Sequence, residues 1–129
     1  MVFGTFDGFH KGHLNFFQQA RNLVLKSNLI LTSKQEFQIQ AFLIISIARD
    51  KNVFKIKGQY PYHSEKDRVS LVKKCKLVNK VVLSNLKNHL PHILKESPQI
   101  IALGYDQKFY TKNLKKDLVV ARENLLIVE

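Results

Sequence analysis

The residues best suited to chemistry stand at the start of the chain, in Gly4-Thr5-Phe6-Asp7-Gly8-Phe9-His10-Lys11-Gly12-His13. Two imidazoles three residues apart follow a short apolar run and a glycine-rich turn. Imidazole N–H groups can donate to phosphoryl oxygens whose charge grows in a transition state. Apolar residues at helical spacing come next, so the pair would stand at a strand-to-helix junction. The free amides and positive dipole end of a helix start suit such a turn to holding phosphate. Two surface histidines in a loop is the competing reading.

The elements that would position this pair can be read in order. Val2–Phe6 is a short apolar run ended by turn residues, as a buried strand would be. Phe16, Phe17, Ala20, Leu23 and Val24 recur at spacings of three and four, which predicts a helix from about Gly12 to Lys26. Ser27–Gln40 carries no clear period; Leu29–Leu31 could form a strand, and residues 33–38 are polar. Ala41–Ala48 is a continuous apolar strand of the kind buried on both faces of a parallel sheet. Arg49–His63, basic and punctuated by Gly58 and Pro61, reads as a long surface loop. Ser64 is expected to cap a helix with Glu65 and Asp67 in its first turn and Val69, Val72 and Cys75 on its apolar face. Lys80–Leu83, Ile100–Leu103 and Leu125–Val128 complete the strands. His89–Glu96, stopping before Pro98, and Lys108 to about Leu118 are expected helices. This alternation predicts a single α/β domain over residues 1–129, a Rossmann-like parallel sheet with right-handed crossovers and helices on both faces.

Composition narrows the function classes. A chain of 129 residues with 45% hydrophobic and 24% charged residues can bury a core and is not of the disordered class. Its net charge of +11, from 21 Lys+Arg against 10 Asp+Glu, favours polyanionic partners: nucleoside triphosphates, nucleic acid or anionic lipid surfaces, among which charge alone does not choose. Cys75 is the sole cysteine, so no intrachain disulfide can form and a reducing compartment is the default. The longest apolar run is far short of the roughly 20 residues that span a bilayer, and no secretory signal is evident. A cytoplasmic protein without a membrane partner is the expectation.

In open α/β sheets, ligands sit beyond the carboxyl ends of the strands. Three polar stretches fall there together: the Gly4–His13 turn, the segment after Ala48, and Gly104-Tyr105-Asp106-Gln107. The Gly4-Thr5-Phe6-Asp7 and His10-Lys11-Gly12-His13 motifs at this spacing resemble the opening of the cytidylyltransferase-like nucleotidylyltransferases. The resemblance continues through Ala48-Arg49-Asp50, Lys55, Lys57, Arg68 and Leu103–Gln107, and so covers most of the chain. Residues 27–40 look like an insertion relative to the family. The Lys55-Ile56-Lys57-Gly58 and Leu103–Gln107 stretches look most like the archaeal-type FAD synthases.

The resemblance implies nucleotidyl transfer, in which an acceptor phosphate attacks the α-phosphorus of a nucleoside triphosphate and pyrophosphate leaves. It implies catalytic roles for His10, His13 and Lys57. Nucleotide-binding roles would fall to Gly4, Thr5, Phe6, Asp7, Gly12, Lys55, Arg68, Gly104, Asp106 and Gln107. Mg²⁺ would enter with the triphosphate, carried by the nucleotide's oxygens, with no protein metal ligands. ATP with FMN as acceptor is the leading substrate pair. CTP with glycerol 3-phosphate or a similar small phosphate ester is the alternative, and a homodimer is compatible with the family. The chain stops at Glu129 without the Ile-Ser-Ser-Thr-x-x-Arg-like loop by which the family closes over the triphosphate. A fragment truncated at its carboxyl end is one expectation; an inactive nucleotide- or nucleic-acid-binding module is another, with nucleic acid the less favoured partner.

Plainer readings exist for several of these residues. Lys55 and Lys57 could belong to a solvated basic loop. Arg68 could pair with Asp67 or Glu65 on its own helix, and Asp106 could cap the helix after it. His63, His89 and His92 lack metal-ligand spacing and read as structural or exposed. Cys75 reads as a small core residue, and Phe9, Phe16 and Phe17 as packing groups.

Overall fold

Five short parallel strands organise the chain, and every helix is placed by what it covers on the sheet they form. The computed structural model describes residues 1–31, 41–86, 90–103 and 126–128. In chain order the elements are β1 (Val2–Gly4), α1 (Lys11–Leu31), β2 (Ile44–Ile47), α2 (Asp50–Lys57), α3 (Glu65–Lys73), β3 (Lys80–Leu83), α4 (Leu90–Glu96), β4 (Ile100–Ala102) and β5 (Leu126–Val128). The strands pair in the order β3-β2-β1-β4-β5, all parallel. Val2 lies opposite Ile45 on one side and Ala102 on the other. The expected Rossmann-like parallel sheet is therefore present.

Strand alternation divides the core in two. Val2, Ile45, Ile47 and Ala102 face one side with Phe17 and Ala20 of α1 and Val72 of α3. Ile44 and Ile101 face the other with Ile93 of α4. Connections that step toward β3 thus place α1 and α3 on one face, and the return step to β4 places α4 on the opposite face. Right-handed crossovers require this arrangement. Across the first face, Arg21 donates to the Leu77 carbonyl and Asn79 Oδ1, both at 3.0 Å, and Asn79 Oδ1 accepts from the Leu43 amide at 2.8 Å. On the second face, Ser46 Oγ and His92 Nε2 meet at 2.9 Å in the interior, a structural use of that histidine.

Two sequence expectations need correction. No Gly or Pro interrupts the chain between Gly12 and Leu31, so α1 runs on through Leu29–Leu31 instead of yielding to a strand. Residues 32–40 lie outside the described residues, as do His89 and the expected helix from Lys108. The presumed loop Arg49–His63 begins instead with the eight-residue helix α2. Arg49 is extended before it, Asp50 suits its first turn, Val53 anchors it in the core, and Gly58 closes it at φ 73° with its amide on the Phe54 carbonyl. Gly58 therefore ends a helix. The cap at Ser64 is as expected, its hydroxyl accepting from the Asp67 amide at 3.2 Å. Cys75 follows α3 instead of lying on it, half-buried against the core.

Candidate active site

β1 is the middle strand, flanked by β2 and β4, and the connection leaves it toward β2 while β4 arrives from the far side of the sheet. Such a switch point opens a crevice at the carboxyl ends of the strands. Into it runs the turn from Thr5 to His10. Phe6 sits in the left-handed region at φ 53°, a conformation costing an aromatic residue roughly 1–3 kcal/mol and held only by its surroundings. Its ring is buried, edge-on to Phe17 and His13 at 5.2 Å in each case. The same ring lies across Gly4: a Cβ there would come within 2.6 Å of Phe6 Cζ. Gly4 is thus needed because Phe6 folds back over the strand.

His10 precedes the first residue of α1 and occupies its N-cap position. Its Nδ1 accepts the Gly12 amide at 3.0 Å, while its own amide donates to His13 Nδ1 at 3.3 Å. This is a capping box built from two histidines, each ring satisfying one backbone N–H of the helix start. The rings stack with centroids 3.9 Å apart and planes 24° from parallel. A Cβ at position 12 would lie 2.8 Å from His10 Cε1, so Gly12 is the seat of that ring. Because both Nδ1 atoms accept, both rings are held in the tautomer that carries its proton on Nε2, leaving that N–H to donate outward. Burial and the neighbouring His10 ring lower the pKa of His13, which favours its neutral form. Phe9 stacks on the other side of His13 at 5.6 Å and packs on Phe17, a packing role as expected.

Asp7 clasps the segment before α3. It accepts from the Tyr62 amide at 2.5 Å and from the His63 amide and Nδ1 at 2.9 Å each. Desolvation works to raise its pKa, but the His63 side chain and the two amides outweigh it and hold the carboxyl below its ordinary range. His63 is thus a structural partner of the turn, one of the two readings its sequence left open.

Arg68 is fully buried. Its guanidinium donates to the Thr5 carbonyl at 2.8 Å, the His63 carbonyl at 3.1 Å and Asp50 Oδ1 at 2.6 Å. Asp50, not Asp67 or Glu65, is its acidic partner. Asp50 and Glu65, the first residues of α2 and α3, also cap each other: the Asp50 amide donates to Glu65 Oε2 at 2.9 Å, and the Glu65 amide to Asp50 Oδ2 at 3.2 Å. Arg49 extends this web from Glu65, at 3.6 Å, to the Ser84 carbonyl beyond β3, at 2.9 Å. The carboxyl ends of β1, β2 and β3 are thereby tied to one helix start. Asp50, Glu65 and Ser84 were not expected site residues; Asp50 stood only in the Ala48-Arg49-Asp50 resemblance, and Glu65 was expected only as a first-turn acid of α3 that could pair with Arg68.

Lys55 and Lys57 are exposed in the last turn of α2, where cations suit the helix dipole. Two residues apart on a helix they point about 200° away from each other, so they do not converge on one phosphate. Lys57 shares the side of Val53, four residues before it, where α2 meets the domain; Lys55 points away. Gly104, Asp106 and Gln107 lie outside the described residues. Among the described residues, no group of three or more His, Cys, Asp or Glu side chains is disposed to hold a metal ion. With Asp7 occupied by Tyr62 and His63, the turn offers hydrogen-bond donors and not a carboxylate cage. No helix among the described residues is long and apolar enough to cross a membrane.

A parallel sheet with paired imidazoles and a helix start at its switch point defines an α/β domain of the Rossmann-like class. The cytidylyltransferase-like family model matches residues 1–129, and the chain belongs to that family. It is 34% identical to a FAD synthase of Korarchaeum cryptofilum over 99% of this chain and 78% of that protein. A FAD synthase of Methanosarcina mazei is 38% identical over 89% of this chain and 64% of its own length. The structure also resembles the crystal structure of a lipopolysaccharide core biosynthesis protein from Thermoplasma volcanium, with a TM-score of 0.79 and 26% identity over 99% of this chain and 91% of that one.

Proposed function

We propose that this chain transfers AMP from ATP to FMN, forming FAD and releasing pyrophosphate. The observation that carries this reading is the histidine capping box, in which each Nδ1 accepts a backbone amide so that each Nε2–H is left to donate, in a chain whose relatives include FAD synthases. A phosphate oxygen of FMN attacks the α-phosphorus of ATP. The new P–O bond forms as the bond from that phosphorus to the bridging oxygen of the β-phosphate breaks, and the electron pair leaves on pyrophosphate. Negative charge grows on the α-phosphoryl and bridging oxygens, where imidazole donors fixed in place need no reorganisation. The positive end of α1 acts in the same direction. Of Lys55 and Lys57, Lys57 is the one assigned to neutralise phosphate, and buried Arg68 holds Thr5 and Asp50 in register. Mg²⁺ would enter with the triphosphate and supply shielding of its charge, with no protein carboxylate required to hold it.

The test is product analysis with purified protein, Mg²⁺, FMN and either ATP or CTP. FAD should form with ATP and not with CTP. His13→Ala should slow it about 10²–10³-fold, as loss of one fixed donor to a transition-state oxyanion does. Pyrophosphate release from CTP and glycerol 3-phosphate in place of FAD formation would overturn the assignment.

A further inference from the structure

Four large apolar side chains stand exposed on α2 and the segment that follows it. Phe54 is 45% exposed, Ile56 51%, Tyr60 64% and Tyr62 93%. Phe54 and Tyr60 are already stacked on each other, with centroids 4.6 Å apart and planes at 25°. Exposed aromatics held parallel present a flat π-face that any planar heterocycle can extend. Their position matters as much as their chemistry. The Tyr62 amide is bonded to Asp7, and the Tyr62 ring lies edge-on to His63 at 5.5 Å, itself bonded to Asp7. Asp7 and His10 are three residues apart, a span of at most about 11 Å. The aromatic segment is therefore pinned beside the histidine turn, within reach of a ligand whose phosphate lies at the histidines.

We propose that the Phe54–Tyr60 pair, with Tyr62, is the platform on which the isoalloxazine ring of the acceptor stacks. This rests on the reading above, that the acceptor is a flavin phosphate. The ring lies against the aromatic segment, the ribityl chain crosses beside the Asp7 clasp, and the phosphate reaches the α-phosphorus held at His10 and His13. A small aliphatic phosphate ester would leave these aromatics without a partner, so the platform also accounts for a preference between acceptors.

Flavin emission is quenched by stacking on aromatic side chains, which gives a direct readout. Titrations of wild-type protein with FMN, and with riboflavin as the ring without its phosphate, should both quench. Tyr60→Ala and Phe54→Ala should each weaken both flavins about tenfold. Tyr60→Phe should bind like wild type, and the rise in Tm caused by ATP should be the same in all variants, which also shows that they are folded. If wild type forms FAD but the alanine variants match it in flavin affinity and in KM for FMN, the platform is wrong and the flavin reading stands. If wild type neither quenches FMN nor forms FAD, the flavin reading itself falls, and the platform with it.

Discussion

Asp7 illustrates how one side chain of the glycine-histidine turn serves the turn's shape. Its carboxylate accepts three hydrogen bonds from Tyr62 and His63, which opposes desolvation and lowers its pKa from the usual 3.8. In the window between the folded and unfolded values, the unfolded chain binds more protons, so stability rises with pH there. The contribution is present above pH 3.8 and is lost as pH falls through the folded value. Asp7→Asn should therefore melt below wild type at pH 7, and the gap in Tm should close as the pH is lowered toward 3. A gap that is the same at both pH values would show that the charge of Asp7 plays no part. The placing of His10 and His13 at a strand-to-helix junction was legible because the glycine turn is followed at once by apolar residues at helical spacing. The capping box was not, because its hydrogen bonds depend on ring orientation, which residue type alone does not fix.

Between elements, the controlling contact is the buried Arg68, which joins α3, the end of β1 and the start of α2. Removing it would leave the Asp50 carboxylate and two carbonyls without their donor, a loss of about 3–5 kcal/mol for a buried pair, toward the lower end because Asp50 is partly exposed. Arg68→Met should lower the urea midpoint accordingly. Arg68→Lys should recover only part of the loss, since one ammonium cannot reproduce a planar fork reaching three acceptors. An arginine that merely held the acceptor would raise KM for FMN and leave the midpoint in place, so unfolding by urea separates the two roles. The sequence pattern exposed the strands and the Ser64 cap, both local signals. It hid α2, whose eight residues carry one buried anchor, Val53, too few for a helical period to emerge. The reciprocal caps of Asp50 and Glu65 were hidden for a related reason: the partners lie 15 residues apart and meet only once both helices exist.

At the scale of the whole molecule, the sheet order and the charge make separate contributions to the proposed binding of a triphosphate. The order β3-β2-β1-β4-β5 was implied by strand-helix alternation but not determined by it, because pairing between β1 and β4 joins segments nearly 100 residues apart. That pairing is what puts the crevice at the histidine turn. The net charge of +11 is spread over the chain and gives no address, but it raises the local concentration of a triphosphate carrying several negative charges. Attraction of this kind is screened beyond about 10 Å at 0.1 M salt and about 3 Å at 1 M, whereas fixed donors in contact with phosphate are affected less. The Kd for ATP should therefore rise several-fold between about 0.05 and 0.5 M salt in the wild type. In His10→Ala/His13→Ala the same titration should start from a weaker Kd and rise by a similar factor, because the histidines supply contact and the distributed charge supplies approach. A Kd independent of salt would mean that the excess lysines do not act on the triphosphate, leaving the helix start and the histidine box to bind it alone.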